Sequence, residues 1–312
     1  MTRARRSHAS DRVYAELPTE RTLPAARALD AMPTRRVVAL LVREERRSVA
    51  AVQRAAPKIA AVATLAARAL AAGGRLVYVG AGTSGRLAAL DAAECPPTFG
   101  TRPRDVVAVV AGGARALRRA VEGAEDDEAA AVRALTRLRI GQHDTVIAVA
   151  ASGVTPFARA ALAFARAAGA ATALVTCAGA AARRAGFHAD VVIALAVGPE
   201  VLAGSTRLKA GTATKLALNA ISTAAMVALG RCYGPDMVDL RATSAKLRAR
   251  ARRLLVRHTE LRGAAATRLL DAAGGHVKLA IAMARLDLAR PEAARRLAAC
   301  DGRLRALVGP PL

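Results

Sequence analysis

Apolar residues in this chain follow two patterns that alternate from about residue 76 to residue 230. The first is a set of short unbroken apolar runs: Leu76–Val79, Val106–Val110, Thr145–Ala150, Ala173–Thr176 and Val191–Leu195. Their length and β-branched content predict strands. They are apolar throughout, not at alternate positions, as expected of a parallel sheet covered on both faces. The second pattern is helical: Ser84–Ala93, Ala114–Leu138, Pro156–Ala168, a short piece near Gly179–Gly186, and a long helix from Thr206 to about Leu229. Five strands in βα alternation predict an α/β fold with a doubly wound five-stranded parallel sheet of flavodoxin-like order. The ligand of such a sheet lies at the carboxyl ends of the strands.

The flanks read as helical. Thr34 stands as an N-cap before Val37, Val38, Leu40, Leu41 and Val49, and a second helix from about Lys58 to Ala72 ends at Gly73-Gly74, a C-cap signal. Beyond Asp239 the chain is helical and Arg-rich, with breaks at Gly263, Gly274-Gly275 and Pro291, which predicts a small helical C-terminal domain. The expected division is an N-terminal tail and helical arm at 1–60, a sheet domain at 61–235 and the helical domain at 236–312. Residues 1 to about 12 are small, polar and basic, a composition that reads as disordered.

Composition narrows the possibilities. Aromatics are 2% of 312 residues while hydrophobic residues are 54%, so the core must be built from Ala, Val and Leu. Cys95, Cys177, Cys232 and Cys300 show no CxxC spacing, so neither a zinc site nor a disulfide framework is signalled, and a reducing cytoplasmic compartment fits. No apolar segment follows the basic N-terminus as in a signal peptide. The longest uncharged small-residue run, Ala167–Ala182, is shorter than the ~20 residues of a membrane span. The net charge of +24 raises the question of nucleic acid. The cations are spread along the chain, and with no Trp, three Tyr and four Phe there is little surface for base stacking. Nucleic acid is therefore disfavoured, whereas a basic surface also attracts a phosphorylated small molecule.

The candidate chemistry centres on Arg75–Pro97. A strand turns at Gly80-Ala81-Gly82, and Thr83 and Ser84 stand at a helix N-cap. Backbone N–H groups and the helix dipole make such a turn an anion site. Gly80–Gly85 matches G-x-G-x-x-G, but the dinucleotide reading needs an acid at the end of the second strand. That strand runs into Ala111-Gly112-Gly113, so a phosphate is favoured over NAD and a plain helix cap remains an alternative. Ser152, Gly153 and Thr155 follow the third strand in the same way and can converge on the same ligand. Glu94, followed by Cys95 and by Pro96-Pro97 that should end the helix, and Glu125, in the acidic run Glu122–Asp127, are the candidate acid and base. Spacing alone also allows a solvated face for Glu125. Ser205 or Thr206 would cap the long helix, and Arg207 and Lys209 in its first turn oppose the dipole, a placement that points to an anion-binding site, with a surface N-terminus carrying incidental charges as the alternative.

Taken together, GAGTSGR at Gly80–Arg86, DAAECPPTFG at Asp91–Gly100, AGG at Ala111–Gly113, VEGAED at Val121–Asp126, AASG at Ala150–Gly153, GSTRLKAGTATKLALN at Gly204–Asn219 and MVDLRAT at Met237–Thr243 closely resemble the N-acetylmuramic acid 6-phosphate etherase family, built on a sugar isomerase (SIS) fold. The resemblance runs from Thr19 to near Arg305. It implies cleavage of a lactyl ether with water, giving N-acetylglucosamine 6-phosphate and D-lactate, in a cytoplasmic homodimer without metal or cofactor. It implies Glu94 as general acid, Glu125 as general base, and a 6-phosphate on Thr83, Ser84 and Ser152 with backbone donors from both loops, Gly82 and Gly153 among them. A non-catalytic sugar-phosphate sensor on the same fold is the alternative, and it would need the loops but not the two carboxyls. Five positions depart from the family pattern: Val154 where Arg is usual, Ala178-Gly179 where Asn-Pro is usual, Ser244 for Asn, and Arg303 for an aromatic residue.

Overall fold

The strand that carries the glycine turn lies inside the sheet. In the computed structural model, which describes residues 17–240 and 245–312, β1 (Leu76–Gly80) is buried at every position. It pairs in parallel with β2 (Val106–Val110) on one side and β3 (Thr145–Val149) on the other. β4 (Ala171–Thr176) and β5 (Val191–Ala194) complete the order β2-β1-β3-β4-β5. All five expected strands form, in the flavodoxin-like order. The chain steps from β1 to β2 on one side and then to β3 on the other, which places the topological switch point between β1 and β3. The reading of residues 1–12, the Arg241–Thr243 portion of the last motif and the departure at Ser244 lie outside the described residues.

Several helix boundaries differ from expectation for identifiable reasons. Thr34 is the first residue of α1 (Thr34–Glu44), not its cap: the Pro33 carbonyl accepts the N–H groups of Arg36 and Val37. α2 (Arg46–Ala71) begins well before Lys58 and passes through Pro57. Pro57 and Gln53, whose carbonyl loses its partner, are both exposed, while Ala51, Val52, Ala55, Ile59, Val62 and Ala66 are buried on the other side. That burial outweighs the ~3 kcal/mol an interior proline costs. α3 (Gly82–Phe99) likewise continues through Pro96 and Pro97, which were expected to stop it. Cys95 and Phe99, one turn apart, are both buried, and the Gly100 N–H closes the last turn on the Pro96 carbonyl at 3.0 Å.

The stretch 114–138 is not one helix. It makes two 3-10 turns, Gly113–Leu117 and Ala124–Asp126, before α4 (Glu128–Leu138). Gly123 at φ 70° breaks the run, and the Asp127 carboxylate caps α4 by accepting the Ala130 N–H at 2.8 Å. α5 (Pro156–Ala167), α6 (Gly179–Arg184) and α7 (Lys209–Ala228) follow.

Contacts divide the chain into two compact units, one ending at Ala92 and resuming over Arg104–Ser222, the other comprising Ala93–Pro103 and Thr223–Leu312. The second is helical: α8 (Ala245–His258), α9 (Gly263–Ala272), α10 (Val277–Leu286), α11 (Arg290–Ala299) and α12 (Leu304–Val308). Leu255, Leu270, Val277, Ile281 and Leu304 form its core. Lys278, buried there, donates to Asp239 at 2.6 Å and to the carbonyls of Gly230 and Gly302.

The amino ends of β1 and β3 are tied by Asp144. Its buried carboxylate accepts from the Arg75 N–H, Nε and Nη2 at 2.7–2.9 Å and from the Gly141 N–H at 3.0 Å. Asp144→Ala removes all four bonds and leaves a partly buried guanidinium. We expect a loss of about 2–4 kcal/mol, read from urea unfolding, with the unfolding slope unchanged.

Candidate active site

Each strand end at the carboxyl edge contributes one piece. After β1, α3 starts at Gly82, so Thr83 and Ser84, both half-buried, occupy the helix's first turn and not the cap position. The helix enters close to the strand because residue 85 is glycine. A Cβ there would lie 2.7 Å from the Gly80 carbonyl oxygen and 2.8 Å from Val110 Cγ1. After β3, Gly153 at φ 72° turns the chain through a space where a Cβ would be 2.9 Å from the Ala178 carbonyl oxygen. Ser152 is half-buried, with its Oγ 3.4 Å from the Val154 N–H. Thr155 precedes α5 without using its hydroxyl as a cap. Gly80 pairs with Val149 across the sheet, so the two loops emerge side by side at the switch point.

Two further pieces adjoin this edge. Gly211, in the first turn of α7, comes so near Thr83 that a Cβ on it would be 3.8 Å from Thr83 Cγ2. The half-buried Ser205 and Thr206 immediately precede that helix. Glu125 is exposed on the 3-10 turn Ala124–Asp126. Ala124 packs into the same apolar cluster as Ala81 and Ala111, the residues just past β1 and β2. Glu94 is exposed on α3, eleven residues after Thr83.

The expectation for Lys209 is corrected. Its side chain is buried, with Nζ 3.0 Å from Glu44 Oε2 and donating to the Pro199 carbonyl. The charge is spent on Glu44 inside the fold and is not offered to a ligand. Neither Ser205 nor Thr206 caps α7. The buried Glu200 carboxylate does, accepting the N–H groups of Lys209 at 3.1 Å and Ala210 at 2.8 Å. Burial raises the pKa of Glu200, and those two backbone bonds and Lys209 oppose the rise.

Asp91 is a residue the motif contained but spacing did not explain. Buried on α3, it accepts from Tyr78 Oη of β1 at 2.8 Å and from Ser222 Oγ of α7 at 3.0 Å. It thereby joins the strand and the two helices that carry Thr83 and Gly211. The available signal was an acid on the buried side of an apolar helix. Burial raises its pKa, and the bonds from Tyr78 and Ser222 and the charge of Lys215 pull it down. Cys177, beyond β4, is no nucleophile: burial, then the nearby Glu200, push its thiol up to about 12. Among the described residues no three His, Cys, Asp or Glu side chains gather as a metal ion requires, and no helix is long and apolar enough to cross a membrane.

Residues 58–166 match the family model for the glucokinase regulatory protein N-terminal SIS domain. The N-acetylmuramic acid 6-phosphate etherase of Geobacillus thermodenitrificans is 47% identical over 290 residues, covering 93% of this chain and 97% of that protein. The etherase of Rubrobacter xylanophilus is 48% identical over 299 residues, covering 96% and 98%. That of Deinococcus radiodurans is 52% identical over 234 residues, covering 75% and 76%. The chain belongs to the N-acetylmuramic acid 6-phosphate etherase family. The family segments that carry the strand-end loops and both candidate carboxylates fall within these matched lengths.

Two expectations test this etherase-family site. Gly85→Ala forces α3 away from the Gly80 carbonyl. It should cost about 1–3 kcal/mol in thermal or urea unfolding and raise KM for a phosphorylated substrate more than it lowers stability-corrected kcat. The folded-state pKa of Asp91 lies above its unfolded value. Its contribution is therefore fully present below the ordinary carboxylate range and is lost as pH rises through the folded value. Asp91→Asn should abolish that decline, seen as a flatter dependence of the urea midpoint on pH from about 4 upward.

Proposed function

We propose that this chain is a carbon–oxygen lyase that cleaves the D-lactyl ether of N-acetylmuramic acid 6-phosphate with water, yielding N-acetylglucosamine 6-phosphate and D-lactate. The observation that carries the reading is the near full-length similarity to etherases, with both Glu94 and Glu125 present and exposed. In this reading the enzyme is a cytoplasmic homodimer that recycles cell-wall sugars and needs no cofactor.

The physical chemistry is coherent with the site. An alkoxide is a poor leaving group, so the C3–O bond needs both a push and a proton. In the open-chain sugar the C1 aldehyde makes the C2 proton acidic. The Glu125 carboxylate removes that proton, the electron pair forms the C2–C3 double bond, and the C3–O bond breaks. The Glu94 carboxyl gives its proton to the departing lactate oxygen. Water then adds at C3 of the unsaturated aldehyde, with the two groups in reversed roles, and C2 regains its proton. Two carboxyl groups can divide acid and base work in this way.

The 6-phosphate is placed on the hydroxyls of Thr83, Ser84 and Ser152 and on backbone donors of the Gly82 and Gly153 loops. The α3 dipole favours the anion there. Ser205 and Thr155 lie at the same edge and are assigned to the substrate, whereas Lys209 acts only by holding Glu44 and the start of α7. Binding energy at the unreactive phosphate end can thereby position C2 and C3. The competing reading, a regulator that senses the sugar phosphate without turnover, predicts that the carboxyls are dispensable.

Incubation with N-acetylmuramic acid 6-phosphate and assay of D-lactate tests the choice. We expect release from the wild type, and a loss of at least about 100-fold in kcat for Glu94→Gln and for Glu125→Gln with binding of N-acetylglucosamine 6-phosphate retained. Well-folded wild type that binds the sugar phosphate yet releases no lactate would support the regulator instead.

A further inference from the structure

The turn Leu17–Glu20 has no role in the chemistry above, yet it is fastened to two of the loops that carry it. The Glu20 N–H closes the turn on the Leu17 carbonyl at 3.0 Å. Leu17 is buried in a cluster with Ala178 and Ala181, and Val154 packs on the same cluster. Val154 lies between Gly153 and Thr155, so this end of the turn rests on the loop beyond β3. Thr19 is buried as well, and its carbonyl accepts the Gly204 N–H at 2.8 Å. Gly204 immediately precedes Ser205 and Thr206. The turn therefore bridges the Ser152 loop and the Ser205 segment at the carboxyl edge of the sheet.

Glu20 is the polar end of this bridge. It stands against Gly204, where the backbone has φ 78° and a Cβ would lie 2.9 Å from Glu20 Oε2. The side chain is exposed, and among the described residues its carboxylate has no hydrogen-bond or ion-pair partner. An ionised carboxylate is an acceptor only, with room for several donors.

An acceptor is what the substrate assignments above lack. The hydroxyls of Thr83, Ser84 and Ser152 and the backbone N–H groups of both loops are donors suited to phosphate oxygens. Glu94 and Glu125 are committed to the ether oxygen and the C2 proton. The sugar's own hydroxyls are left without an acceptor, and a desolvated polar group without a partner weakens binding. Charge decides which part of the ligand Glu20 can meet: it repels the phosphate and attracts the hydroxyl hydrogens. Its attachment to the Ser152 loop and the Ser205 segment sets how far along the sugar it reaches. C5 and C4 are three and four bonds from phosphorus, whereas C2 is six bonds away. We propose that Glu20 is a substrate-binding residue, accepting hydrogen bonds from the hydroxyls on C4 and C5 of the sugar phosphate. The C5 hydroxyl exists only in the open-chain sugar, because its oxygen closes the pyranose ring, so an acceptor there favours the form from which the elimination starts. This rests on the reading of the chain as the etherase and adds the sugar-side contact of the same site.

Two ligands that share the phosphate isolate the sugar's contribution. The affinities of wild type, Glu20→Gln and Glu20→Ala are measured by calorimetry for N-acetylglucosamine 6-phosphate and for inorganic phosphate. Loss of hydrogen bonds to a charged acceptor should weaken the sugar phosphate by about 10-fold or more in Glu20→Ala, and by less in Glu20→Gln. The affinity for inorganic phosphate and the thermal midpoint should not change. N-acetylglucosaminitol 6-phosphate, a permanent open chain, should lose at least as much as the cyclic sugar. Sugar-phosphate affinity unchanged in Glu20→Ala would make Glu20 a solvated surface carboxylate and overturn the proposal. Equal weakening of both ligands would mean that the turn only shapes the loops, and would overturn it too. D-lactate release by the wild type reports separately on the etherase reading: a protein that binds the sugar phosphate without releasing lactate fails that reading while the Glu20 comparison still stands or falls on the two affinities.

Discussion

The backbone of Gly85 meets the Gly80 carbonyl with no side chain between them, and much of the site follows from that approach. It sets where α3 leaves the sheet and therefore where the hydroxyls of Thr83 and Ser84 stand relative to the end of β1. β1 is paired on both sides, so its end is among the least movable points of the fold. The Ser152 loop inherits its position from β3, one strand away, and the turn bearing Glu125 inherits its position through Ala124, which packs with Ala81 and Ala111. Asp91 extends the same constraint sideways, since Tyr78 and Ser222 fasten β1 and α7 to one carboxylate. A buried polar group with its donors in place specifies one arrangement more sharply than apolar packing alone.

That rigidity suits a reaction in which the enzyme's main task is placement. Neither elimination nor hydration needs a group more reactive than a carboxyl, provided the proton to be removed and the oxygen to be protonated are held where the carboxyls can reach them. A phosphate is a natural handle for such placement, because it is charged and remote from the bond that breaks and because a helix N-terminus suits an anion. Lys209 is not the handle. It is consumed by Glu44 and the Pro199 carbonyl, and the N-terminus of α7 is already satisfied by Glu200.

The sheet was legible in the sequence because buried parallel strands are written as continuous apolar runs, and each of the five runs became a strand. The loops were legible because glycine and hydroxyl residues at strand ends have local causes. What was not legible is non-local. Nothing near Pro96 and Pro97 announces that Cys95 and Phe99 will be buried deeply enough to carry α3 past them. The partner of Lys209, Glu44, is 165 residues away, and the cap of α7 comes from an irregular segment nine residues upstream. The break in 114–138 was locally encoded by Gly123 and the Asp127 cap, but the alanine-rich flanks masked it. The proposed acid/base roles of Glu94 and Glu125 rest on the family resemblance, since spacing alone left Glu125 open to a solvated face.

In the proposed reaction the substrate, anchored by its phosphate at the β1 and β3 ends, loses lactate by breaking the bond at sugar C3 and then regains oxygen from water at the same carbon. Turnover of N-acetylmuramic acid 6-phosphate in ¹⁸O-water, followed by mass spectrometry of both products, tests this most directly. Label in the C3 hydroxyl of N-acetylglucosamine 6-phosphate, with unlabelled lactate, is the predicted result. Label in the lactate instead would mean that water attacks the lactyl carbon, and the elimination–hydration account would be contradicted.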